Sequence, residues 1–511
     1  MKTHFNWRVI HRLAIALAVL LLLAAPALVQ AQFTYTTNAD GTLTLTGYTG
    51  TGGNITFPTN INGMTVSGLG SYVLLFNTNV TSITIPGDIT NIAMLAIYMS
   101  QGITNATLGY GITSIPTNMF VSCGNLASVT IPESVTSIGR WAFSGCGLTQ
   151  VTVPSGVTSI EGVFEDCFAL TNVSLPPGIT NIDDAFSSCS SLTTTLIPST
   201  ITSIAPDTFS YCTSLTNVLI PSNVTSIESR AFYGCTSLGT VTIPAGVTNI
   251  ADGSGNFDQD GAFRGCSRLT NITILGSPNI GTYAFYELPL TSISIAGGVV
   301  GASAFEGCES LTNVTLGNGV TALGENAFLG DPIFSVFIPP SVTYIGNGTF
   351  EGYDLTNVVI GAGVDVMADY AFYGNTHLTN VLFLGNAPAI IEGGDFGPFG
   401  GCPATVYYLP GTTGWSNTFG LSLWGMNGAP TALWKPVIQT GDGHFGVSNG
   451  VFGFNITNGS TTNLPIAVMA CTNLANPVWT SLTNLMLTNT YYFTDPQWSN
   501  YPGRYYGIGF P

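Results

Sequence analysis

The sequence predicts a mainly β solenoid with a small β module behind it, and three observations carry that prediction. An Ala-Phe pair with a Cys three residues after the Phe returns about every two dozen positions, as in Ala142-Phe143…Cys146, Ala231-Phe232…Cys235 and Ala304-Phe305…Cys308. A unit that recurs at near-constant period is one that cannot bury its apolar face alone and must stack on its neighbours. The best copies also carry a short apolar-alternating run closed by Pro, such as Leu215-Thr-Asn-Val-Leu-Ile-Pro221. Finally, the period stops near Lys435, and strand-like runs without repeat replace it.

Residues 1–31 read as an export leader. Lys2, Arg8 and Arg12 are basic, Leu13 to Leu23 is apolar, and Val29-Gln30-Ala31 places small residues at the −3 and −1 positions, so cleavage is expected after Ala31. No later stretch reaches about 18 apolar residues, so no transmembrane segment is expected and the chain is placed outside the cell or on its surface. Residues 32–80 are assigned to an N-terminal cap and a degenerate first repeat. Alternation in Phe33 to Tyr48 around Asp40-Gly41 reads as a hairpin that seals the open end.

Residues 81–400 form the solenoid. In the best copy Leu215, Val218 and Ile220 point inward in an L-x-x-L-x-L frame, and Pro221, lacking an amide hydrogen, ends the strand. Val224 and Ile227 supply an inward pair on a second, shorter face, while Ala231, Phe232 and Cys235 fill the corner between faces. The marker Phe falls at 120, 143, 164, 186, 209, 232, 263, 285, 305, 328, 350 and 372, with degenerate copies around Leu74, Ile97 and Phe396. Leu311-Thr-Asn-Val-Thr-Leu316 and Leu126-Ala-Ser-Val-Thr-Ile-Pro132 resemble the BspA-like leucine-rich repeats of bacterial surface and secreted proteins, over roughly residues 33–433. The resemblance implies a leucine-rich-repeat solenoid acting in adhesion or binding, and it carries over no catalytic residue.

Eight cysteines (Cys123, Cys146, Cys167, Cys189, Cys212, Cys235, Cys266 and Cys308) share the position three after the Phe. In a stack they form one line of small buried hydrophobes, expected as free thiols. Adjacent Cα atoms would fall within disulfide range, but parallel side chains in one rotamer do not aim their sulfurs at each other.

The interval from Phe232 to Phe263 is 31 residues, and the excess contains Asp252, Ser254, Asn256, Asp258 and Asp260 at alternate positions. That is the ligand spacing of a calcium loop. Phe257 stands where the sharp-turn Gly belongs and no Glu closes the frame, so a plain polar loop is the competing reading. Residues 401–434, with Val406-Tyr-Tyr-Leu409, Trp415 and Trp424, are read as the C-terminal cap. Residues 435–511 are read as a small sandwich-like module similar to β modules at the C-termini of exported bacterial proteins.

Charge and motifs narrow the function. Without the leader, 6 Lys and Arg face 26 Asp and Glu, a formal charge of −20, which argues against nucleic acid and anionic lipid as partners. No nucleophile elbow, zinc-protease helix or P-loop occurs. His377 and His444 lie in different modules, and Glu165-Asp166 and Asp183-Asp184 fall at corners where solvated charge is ordinary. No enzyme is expected. The outward column of the long strand is mostly Thr and Ser, including Thr315, and ends in three apolar rungs, Phe337, Val359 and Leu382. These rungs either receive the C-terminal module or form a ligand hot spot. The sequence therefore points to a non-catalytic binding module for an extracellular protein or glycan, with a calcium-stabilised envelope or coat component as the alternative.

Overall fold

The computed structural model describes residues 32–250, 261–391, 396–420, 428–458, 464–475 and 477–510. Among them the chain is almost entirely β, with one 3-10 turn at Trp498–Asn500. It divides into two compact units, Met1–Val247 with Ala262–Leu269, and Thr248–Gly261 with Thr270–Pro511.

In the first unit the hairpin Phe33–Thr37/Leu43–Tyr48 pairs antiparallel, and its second strand continues in parallel into Met64–Leu69. From there most turns contribute a long-face strand and a two-residue short-face strand, which pair in parallel with neighbouring turns in short runs. A single bridge, Ser159 to Asn181, stands in for the short-face strands of two turns. Thr84, Thr107 and Thr130 stand opposite one another on the long face, and Ile204 opposite Ile227 on the short face. Alternation places Val218 and Ile220 inside with Leu219 out, and Val224 and Ile227 are fully buried. The Pro-closed strands are short because the chain turns at once: Val224 N donates to Pro221 O. Several repeats of the second unit lack that Pro, and two of them carry Ala296-Gly-Gly298 and Gly317-Asn-Gly319 in its place. There one strand runs through both faces, Ser292–Val300 and Asn313–Leu323, so the expected pair of short strands merges.

The corner between the faces holds the core together. In the first unit Phe120, Phe143, Phe164, Phe186, Phe209, Phe232 and Phe263 stack with ring centroids 5.1–6.2 Å apart and planes within 8–12°. Their spacing approaches that of neighbouring strands, so each ring rests on the next turn's ring. In the second unit Phe285, Phe305, Phe328, Phe350, Phe372 and Phe399 form a like column at 5.2–5.3 Å. The last marker is therefore Phe399 and not Phe396. Phe396 lies instead against Tyr370 and Tyr373, because only Phe399 has a Cys three residues on.

The cysteines are free, and each of the eight ladder thiols donates to a carbonyl one turn back, as Cys146 to Phe120 O at 3.2 Å, Cys235 to Phe209 O at 3.1 Å and Cys308 to Phe285 O at 3.3 Å. Cys402 to Phe372 O at 3.1 Å is a further rung that the Phe396 marker concealed. Burial pushes the Cys123 and Cys167 thiols up to about 12, which keeps them protonated and inert. At two corners where the Cys is replaced, a polar side chain makes the same bond. Ser100 bonds Leu74 O, and Asn375 Nδ2 donates to Phe350 O at 2.8 Å.

At most corners two residues, at −2 and +2 from the Phe, adopt the left-handed region, as at Trp141 (φ 59°) and Gly145 (φ 67°), or Asp207 (φ 54°) and Tyr211 (φ 57°). For a non-Gly residue this costs roughly 1–3 kcal/mol on its own. It persists because it aims alternate amides along the stack, where Asp207 N, Phe209 N and Tyr211 N reach the carbonyls of Ser229, Ala231 and Tyr233.

Candidate ligand-binding surface

On the long face of the second unit the strands Ser335–Ile338, Asn357–Ile360, Asn380–Phe383, Thr405–Tyr408 and Ala429–Leu433 lie side by side. The register aligns Phe337, Val359, Leu382, Tyr407 and Ala432 in one outward column. The apolar stripe is thus longer than its first three rungs, with Tyr407 continuing it. That rung lies in Val406-Tyr-Tyr-Leu409, within the segment assigned to the C-terminal cap from sequence.

The C-terminal module covers the far end of this stripe. Its strands form two antiparallel sheets. In one, Val451–Asn458 pairs with Pro436–Gln439, Gly446–Ser448 and Thr490–Asp495; in the other, Leu464–Cys471 lies between Thr480–Leu487 and Tyr505–Gly509. Phe454, Ile456, Leu464, Ile466, Val468, Leu487 and Phe493 bury their side chains in one core with Leu382, Tyr407 and Ala432 of the solenoid, and Val359 packs at its margin. Leu382 is 3% exposed, whereas Phe337 is 48% exposed and Thr315 is also open. The four residues singled out from sequence therefore separate: Leu382 is interior, Val359 is an edge, and Phe337 and Thr315 remain on the surface. A buried Asp495, bonded by Tyr506 Oη at 2.8 Å and 3.0 Å from Arg504 Nε, ties Thr490–Asp495 of the first sheet to the last strand, in the second.

The proposed calcium-loop residues Asp252, Ser254, Asn256, Asp258 and Asp260 lie outside the described residues. Among the described residues no group of three or more His, Cys, Asp or Glu could hold a metal ion. His377 sits in an exposed turn with Nδ1 3.1 Å from Tyr353 O, and His444 is exposed beside Asp442.

The corner carboxylates are less ordinary than their sequence position suggests. Arg140 reaches Glu161 at 3.0 Å and Asp184 at 2.7 Å, Arg230 reaches Asp207 at 2.8 Å, and Trp141 Nε1 donates to Glu165 Oε2 at 2.5 Å. Desolvation raises Glu165, Asp183 and Asp184 above the usual carboxylate range. These residues lie 20 to 45 positions apart and meet only because the turns stack, so no local motif announced them.

A parallel β stack with one corner phenylalanine and one long-face strand per turn is a leucine-rich-repeat solenoid. The chain belongs to the BspA-type leucine-rich-repeat family, whose model matches residues 53–162, 148–259, 257–300 and 278–393. Among solved structures it is similar to a leucine-rich repeat protein from Bacteroides ovatus, with TM-score 0.57 and 24% identity over 74% of this chain and 94% of that one. It is also similar to a leucine rich cell surface protein from Faecalibacterium prausnitzii, with TM-score 0.37 and 27% identity over 74% of this chain and 93% of the other. No curated protein matches the chain. No helix among the described residues is long and apolar enough to cross a membrane.

Proposed function

We propose that the chain is an exported, non-catalytic binding module that recognises an extracellular protein or glycan through its long-strand face. The observation that carries this reading is the surface left beside the C-terminal module: exposed Phe337 stands next to the partly covered Val359 and near an open Ser/Thr ladder that includes Ser294 and Thr315. A half-exposed aromatic in a flat, uncharged, hydrogen-bonding sheet is the composition of a recognition hot spot. The leader-like residues 1–31 support a location outside the cell.

The test is a glycan and extracellular-protein array probed with residues 32–511, with calcium and with chelator. A saturable ligand lost on Phe337→Ser supports the reading, and loss of that ligand with chelator assigns the calcium loop a part in it. Silence from a folded chain that assembles into sheets would favour an envelope or coat component instead.

A further inference from the structure

The first two corners of the solenoid carry side chains that the fold itself does not need. Tyr72 and Phe76 flank the marker Leu74, and Leu95 and Met99 flank the marker Ile97, at −2 and +2. The backbone is left-handed at all four, with φ 65°, 50°, 61° and 50°. Gly, Asn and Asp take that conformation most cheaply, and a bulky apolar residue takes it with strain. From the third corner on, the first unit fills these positions mostly with small or polar residues, such as Asn118, Ser122, Gly145, Gly162 and Asp166. Nor do the large side chains gain burial. Tyr72 is 45%, Leu75 42%, Phe76 61% and Met94 56% exposed, and Leu95 and Tyr98 are partly open.

These side chains form one surface. The rings of Tyr72 and Phe76 each lie 6.1 Å from that of Tyr98 on the next turn, and Tyr72 N and Phe76 N donate to Leu95 O and Tyr98 O. Leu75 and Tyr98 both stand one residue after their marker, in one outward column, and Met94 adjoins Leu95. At about 200 Å² for each large side chain fully open, the six leave roughly 450 Å² of mainly apolar surface uncovered.

We infer that this patch is where two copies of the chain pair, related by a two-fold axis. Area favours that occupant: a standard interface covers about 800 Å² of each copy, about 65% of it apolar between identical chains, so the patch supplies most of the apolar core required. Charge favours it too. Without its leader the chain sets 6 Lys and Arg against 26 Asp and Glu, which repels a second copy elsewhere, yet residues 32–132 contain only Asp40 and Asp88 and no Lys or Arg. The first charged corner side chains, Arg140 and Glu161, come two and three turns beyond Tyr98, roughly 10–15 Å at about 5 Å per turn. That exceeds the Debye length of about 8 Å, so their fields are screened at the patch. A charged partner finds no counter-charge there. Because each copy offers the same face, the contact closes on itself and yields dimers rather than sheets. This surface is separate from the long-strand face and stands without the proposal made for it.

The experiment is sedimentation equilibrium of residues 32–511 across the micromolar range. A reversible monomer–dimer equilibrium is expected, unchanged or tightened by added NaCl because salt screens the repulsion between copies. Phe76→Asn and Tyr72→Asn should each weaken it at least tenfold. The melting temperature of the dilute monomer should hold or rise in both, since Asn accepts the left-handed backbone more readily. Leu219→Ser, which removes a 69% exposed leucine from the long face of the same unit, is the control and should leave the equilibrium within twofold. A monomer throughout the range overturns the inference, as does a dimer that Phe76→Asn weakens no more than Leu219→Ser does. Capture of the monomer on phosphatidylcholine vesicles, lost on Phe76→Asn, would assign the patch to a lipid surface and overturn it too. Should Tyr72→Asn lower the melting temperature, Phe76→Asn, at the most exposed of these positions, decides the question alone.

Discussion

Leu382 of the solenoid and Phe454 of the C-terminal module lie in one apolar core, at 3% and 0% exposure. The module and the last turns therefore stabilise each other. Leu382→Ala should lower stability by about 2–5 kcal/mol, the range for a buried leucine. Chemical denaturation of the full chain measures it, and Phe454→Ala should produce a loss that is not additive with the first. Additive losses would mean that the two side chains do not share a core.

Phe337 should behave differently. It is on the same column but exposed, so Phe337→Ser should change stability by less than about 0.5 kcal/mol. A large fall in melting temperature would place Phe337 under the module and remove it from the candidate surface.

The thiol column should be chemically silent in the folded chain. Iodoacetamide at pH 8 followed by peptide mass mapping should label Cys402 first, because it is only half-buried and its thiol is raised to about 11, below the 12 of Cys123 and Cys167. The fully buried ladder cysteines should label only after denaturation. Rapid native labelling of Cys235 would show that the corner opens.

Asp331 occupies the cysteine position after Phe328, and burial raises its carboxyl to about 9. Its Oδ1 accepts from Cys308 N at 2.8 Å, while Oδ2 is buried without a partner among the described residues. The folded chain holds the proton that the unfolded chain releases near pH 4, so Asp331 weakens stability progressively as pH rises from about 4 to 9. Asp331→Asn should remove that slope, so its gain in stability over the parent chain grows between pH 5 and pH 8. Asn375, which fills the same position with both its groups bonded, shows that an amide fits there. Denaturation curves at pH 5 and pH 8 give the answer, and an unchanged slope in the variant would refute the assignment.

The interior of the repeats was readable because inward positions recur at fixed offsets from the Phe, and a dozen copies correct one another. Phe396-Gly-Pro-Phe399 offered two markers, and the Cys402 offset, present in the sequence, selects the second. The burial of Leu382 was not readable in the same way. An outward residue is covered or open depending on a module that lacks the period, and alternation alone is silent on that. The Arg140–Trp141–Glu165 cluster was likewise hidden, since it depends on which side chains the left-handed corner positions aim toward each other across turns.

Phe232 and Phe263 are 31 positions apart, yet their rings stack at 5.1 Å like those of shorter intervals. The column, rather than a residue count, keeps the frame. Genetically, then, whole turns can be duplicated or lost with every junction presenting the same ring to the same ring, and codons can accumulate between a short strand and the next corner. An in-frame deletion that removes one corner phenylalanine with part of its turn has no such freedom. Lineages carrying this architecture should differ in length by complete turns and loop insertions, not by fractions of a turn.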